Sequence, residues 1–130
     1  MKNSLYLSAL LYDRLNTIEE TNTRCYPIIA ENSTTFPFIV YTRDSLTSGS
    51  LTKDGNTELA QVSVKIITVG YREGINIAQQ VRRKLTLNKF NYALDEDNNM
   101  IVNSRFSAAY ESYEENSYIQ TLVFDIEIIG

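Results

Sequence analysis

The sequence predicts an α+β fold: a mainly antiparallel sheet packed by two helices, with a long protruding hairpin or loop. Three stretches carry that expectation. From Ala60 the residues alternate, with Ala60, Val62, Val64 and Ile66 on one side and Gln61, Ser63 and Lys65 on the other. This is the period of two of a half-buried strand. Ile77, Ala78, Val81 and Leu85 then form one helical stripe, with Gln79, Gln80, Arg82, Arg83 and Lys84 outside it. Near the end, Leu122, Phe124, Ile126 and Ile128 alternate with Thr121, Val123, Asp125 and Glu127, as in a strand with one buried face.

Taken in order, residues 4–17 are predicted as the first helix. Ser4 is placed as its N-cap, and Leu7, Leu10, Leu11, Leu15 and Ile18 recur at spacings of three and four. A polar connector at 21–23 leads into Arg24–Ala30, where Pro27 marks an edge strand. Phe36–Asp44 reads as a strand opened by Pro37. Its apolar residues fall on both faces, which suits an interior position in the sheet or a face met by another subunit.

Ser45–Glu58 is polar and holds the turn pair Asp54-Gly55, so it reads as a hairpin arm whose tip leaves the body. In the strand that follows, Ile67 and Val69 are expected to be covered. Gly70 and Gly74 are read as bracketing a short link before a helix over 75–87. Phe90–Leu94 is a short strand, Asp95–Asn99 a polar turn, and Met100–Tyr113 a strand with Phe106, Ala108 and Tyr110 inward. A turn at Glu114–Ser117 and a final strand Tyr118–Ile129 complete the chain.

Composition narrows the chemistry. The chain has 130 residues, read as one domain spanning 1–130; 43% are hydrophobic and 22% charged, a globular balance. A net charge of -4 offers no overall attraction to phosphates, and Arg82, Arg83 and Lys84 read as a solvated helix end, so no sequence-specific nucleic acid is expected. With no histidine, the commonest general base and transition-metal ligand is missing. The single cysteine, Cys25, reads as a small buried residue in a reducing compartment. No apolar run is long enough for a membrane span and no signal peptide is evident, so the expectation is a soluble, intracellular chain without a membrane partner.

Asp95, Asp97 and Asn99 begin like a calcium loop, but Met100 stands where its glycine should follow and Phe106 where its bidentate glutamate belongs. No phosphate-binding glycine pattern occurs. No catalytic, cofactor or metal residues are therefore assigned, and an enzyme is not expected. Two other classes stay open: a small ligand-binding or regulatory α+β module, which would need a pocket with converging polar groups, and a small enzyme using carboxylates such as Asp95 and Glu111.

The order of landmarks resembles the tail-completion, or head–tail joining, family of tailed bacteriophages and prophages. The matching stretches are the N-terminal amphipathic helix, Arg24-Cys25-Tyr26-Pro27, Pro37-Phe38-Ile39-Val40-Tyr41 and the alternating strand Val62–Val69. The helix with Ala78, Val81 and Leu85 follows, then Phe106-Tyr110-Glu111 and Phe124-Asp125-Ile126. Cys25 departs from the pattern, where the family tends to carry an aliphatic residue.

The resemblance implies a structural protein without a catalytic site. It would form a homo-oligomeric ring, typically hexameric, at the junction of tail tube and head connector, ending the tube and joining it to the connector. Its place would be the virion tail, and the bacterial host cytoplasm during assembly. Within such a ring, contacts between subunits are expected from Thr47, Leu51, Lys53 and Asp54 on the arm and from Tyr113 and Tyr118 in the C-terminal hairpin, because free strand edges and exposed tyrosines favour association.

Overall fold

A computed structural model describes residues 4–31, 34–48, 57–93 and 99–129. The chain folds as an α+β unit in the order α1 (Leu7–Leu15), β1 (Cys25–Pro27), β2 (Phe38–Ser48), β3 (Thr57–Thr68), α2 (Tyr71–Leu85), β4 (Leu87–Ala93), β5 (Asn99–Glu114) and β6 (Ser117–Ile129). The strands form one six-stranded curled sheet in the order β1-β2-β3-β6-β5-β4. Every pairing is antiparallel except that of β1 with β2.

The alternating stretches build the centre. Val62 lies opposite Phe124 and Val64 opposite Leu122, so the apolar faces of β3 and β6 form one surface. The stripe of α2 (Ile77, Ala78, Val81, Leu85) packs on it, and Phe124 is fully buried. Each of the larger side chains among these, taken from water, contributes about 1.5–3 kcal/mol. Leu7, Leu10, Leu11 and Leu15 bring α1 to the same face. Arg14 Nε donates to the Lys84 carbonyl at 2.9 Å, satisfying one of the orphan acceptors in the last turn of α2. The Tyr92 hydroxyl donates to Asp13, which fastens α1 to β4 as well.

β1 is an edge strand and β2 an interior one, as Pro27 and the two-sided apolar pattern predict. The stretches around Cys25 and Ile39 thus become neighbours, with Cys25 opposite Ile39 and Pro27 opposite Tyr41. Cys25 is buried, and that burial pushes its thiol up to about 11.

Several expectations change. Helix α2 starts at Tyr71, directly after Gly70 in an extended conformation, so Tyr71–Glu73 are helical rather than a link. Gly74 is buried inside the helix, where an added Cβ would stand 3.0 Å from Thr68 Oγ1 and 3.5 Å from Gln120 Cγ. Its lack of a side chain serves close approach of helix to sheet, not a bend. Val69 is 62% exposed because the strand has ended and the chain is turning.

The first helix begins at Leu7 behind a 3-10 turn, Ser4–Tyr6, so Ser4 is not the cap of α1. Ile18 is buried, but from an extended residue beyond the helix. β4 starts earlier than expected, at Leu87, with an irregularity between Leu87 and Phe90 and Lys89 at φ 49.

In β5, Phe106 faces the helices opposite Phe124, but a bulge between Phe106 and Ala108 reverses the alternation. Beyond it Ala109 faces Leu122 and Glu111 faces Gln120, which leaves Ala108 and Tyr110 on the opposite face, Tyr110 62% exposed. A bulge adds one residue to one strand, and a shift of one residue exchanges the faces. The hairpin closes through Glu115 and Asn116 at φ 50 and 65, the two left-handed residues of a tight β-turn.

The base of the predicted arm is part of the sheet. Ser45–Ser48 pair with Glu58–Gln61, and Thr57 and Glu58 also pair with Ile129 and Ile128 of β6. Residues 49–56, including the Asp54-Gly55 turn, lie outside the described residues.

Candidate assembly surface

Of the predicted contact residues that the structure describes, Thr47 lies at one end of the sheet and Tyr113 and Tyr118 at the other. Thr47 is exposed, opposite Leu59, and its hydroxyl reaches the Leu59 carbonyl at 3.4 Å. Tyr118 lies opposite Thr68, at the other end of β3, about 30 Å away at the rise of an extended strand. Leu51, Lys53 and Asp54 fall outside the described residues.

Tyr113 and Tyr118 come together. They pair across the β5–β6 hairpin with ring centres 4.8 Å apart, and Tyr71 from the first turn of α2 stacks edge-on against Tyr118 at 5.5 Å. Tyr113 is 56% exposed, so the three rings form a partly open aromatic platform. Beneath it, Tyr71 Oη and Gln120 Nε2 each donate to Glu111 Oε2 at 2.7 Å. These two bonds, that from Gln120 first, hold the Glu111 carboxyl below its usual range, while the bond to Glu111 pushes the Tyr71 hydroxyl up. An ionised carboxylate with its donors in place is suited to ordering a hairpin and poorly suited to giving up a proton at neutral pH. Asp95, the other carboxylate considered for acid–base work, is outside the described residues.

Tyr71 and Gln120 were not singled out in the sequence, and Glu111 was weighed only as an acid–base carboxylate and as part of a family motif, not as the centre of this cluster. Tyr71 was read as part of a link, and strict alternation places Glu111 on the wrong face. The displaced bulge is the missing signal.

On the face away from the helices lies a groove of about 840 Å³ that reaches from Thr47 and Leu59 to Arg105 and Lys89. Its polar groups largely partner one another. Asn103 Nδ2 donates to Glu127 Oε1 at 3.1 Å, the Lys89 amide donates to Asn103 Oδ1 at 2.7 Å, and Arg105 stands 3.8 Å from Asp125. A second hollow, about 730 Å³, lies beside β1 between Arg24, Tyr26 and Glu31. There Arg24 Nε donates to the Pro37 carbonyl at 3.0 Å, and Phe38 lies 6.4 Å from Tyr26 and 5.5 Å from Phe36 by ring centres. The neighbouring Ile28 and Ile29 are exposed. Among the described residues no helix is long and apolar enough to cross a membrane.

No protein-family model matches this chain, and no curated protein matches it. Among solved structures, it is similar to a chain in the virion of a native gene transfer agent particle, with a TM-score of 0.77 and 17% sequence identity. The match covers 95% of this chain and 95% of that one, so the two share a fold from end to end.

Proposed function

We propose that this protein is a structural component of a phage or phage-like virion that forms a ring at the tail–head junction. There it ends the tail tube and joins it to the connector, with no bond made or broken. One observation supports the reading most: its whole-length likeness in fold to a chain of a gene transfer agent virion, TM-score 0.77 over 95% of both chains. The resemblance of its motif order to tail-completion proteins points the same way. The fold suits such work because open strand edges and an aromatic platform sit at the ends of one rigid sheet, where neighbouring molecules can meet them.

Negative-stain electron microscopy of the protein, alone and mixed with phage tail tube and connector proteins, tests the reading. The expected result is rings of uniform diameter that cap tubes and stop their growth. Tubes that lengthen without limit and carry no cap in its presence would overturn it.

A further inference from the structure

Resting on the ring reading, we infer that neighbouring subunits join by strand addition, the open half of β5 in one copy pairing antiparallel with the open half of β2 in the next. β4 pairs with β5 only as far as Ser104, so among the described residues Arg105–Glu114 have β6 on one side and no strand on the other. At the far corner, β1 pairs with β2 only at Ile39–Tyr41, and Thr42–Ser48 run on with β3 alone. An open edge presents unpaired N–H and C=O groups, and pairing with another strand satisfies them.

The other outer edges are blunted. β1 has three residues, includes Pro27, and is followed by Ile28 at φ 69. β4 is interrupted between Leu87 and Phe90, with Lys89 at φ 49. The two open halves hold neither proline nor lysine; each has one bulge, between Arg43 and Ser45 and between Phe106 and Ala108, and is otherwise continuously paired on its inner side.

A second copy of this chain is the occupant because the two edges complement each other. β2 and β5 run in opposite directions within the sheet, so a copy placed by rotation about an axis near the strand direction brings them together antiparallel. Each copy then offers one edge and receives the other, the head-to-tail contact from which rings are made. The open half of β2 lies level with the half of β5 that β4 covers, so each contact is staggered. Strands tilted to the ring axis absorb such a stagger, as in closed barrels.

Centring the open halves brings Thr47 near Ala108, which sets the test. In a Cys25→Ser background, Thr47→Cys and Ala108→Cys proteins are treated with a short bismaleimide linker at millimolar concentration. Each is treated singly, mixed, and combined in one chain, with circular dichroism to verify folding and microscopy to score rings. Mixed proteins should give a crosslinked dimer at least tenfold above either alone, and the doubly substituted chain a ladder of multimers. Rings without that crosslink would overturn the edge pairing and leave the ring reading standing. Crosslinks with open filaments only would leave the pairing standing and overturn the ring. Ala108→Cys linking to itself as well as to Thr47→Cys would replace the pairing with a two-fold β5–β5 contact, and neither rings nor crosslinks would end both.

Discussion

Gly74 and Ser104 show how single positions carry the packing. Thr68 is fully buried and its hydroxyl donates to the Gly70 carbonyl at 2.7 Å, so it cannot easily yield to a methyl group at Gly74. The crowding costs roughly 1–3 kcal/mol against about 1 kcal/mol of helix propensity gained, so Gly74→Ala should lower stability by about 1 kcal/mol. In a Thr68→Ala background the same change should become neutral or stabilising, a coupling that urea unfolding of the four proteins measures. Ser104 is a buried hydroxyl without a hydrogen-bond partner among the described residues. Since an unpaired buried polar group is costly, Ser104→Ala should raise stability by about 1 kcal/mol, read as a higher urea midpoint at unchanged slope.

At the scale of elements, the bulge in β5 decides what the C-terminal hairpin presents. By moving Glu111 and Tyr113 to the helix face, it lets α2 and β6 clamp one carboxylate with two donors. The folded value of Glu111 is lowered, so its contribution to stability is present above the ordinary glutamate range, about 4.3, and lost as pH falls through the lowered value. Glu111→Gln should therefore be less stable than the parent chain by a constant margin above about pH 5, with the margin shrinking under stronger acid. Urea unfolding of both proteins across pH measures it; a margin that does not change with pH would contradict the role of ionisation. The strands and both helices were legible from their periodicity. The bulge was not, because one extra residue leaves the composition of β5 unchanged and alters only which way later side chains point.

For the whole molecule, one sheet forms the body and, on the ring reading, offers the edges at which copies meet. Ser48 already pairs with Glu58, so the hairpin base is closed by the sheet itself. Replacing residues 49–56 with an Asn-Gly turn should keep the thermal midpoint within a few degrees, since a change of loop length alters closure entropy by only about 1 kcal/mol. If the arm takes part in the ring, the same replacement should remove assembly on tail tubes or connectors, measured as mass by light scattering. Unchanged assembly would exclude the arm and leave the β2 and β5 edges as the remaining contact.

The sequence by itself determined the fold class, the two helices, the central strands and the edge position of β1. Periodicity, proline and turn residues act within a few residues of themselves, so a reader of the chain can see them. Tertiary structure alone decided the strand order, the open halves of β2 and β5, the glycine seam between α2 and Thr68, and the meeting of Tyr71, Tyr113 and Tyr118. Those depend on where one strand stops beside another and on a one-residue shift in register, relations between distant residues that local patterns do not encode.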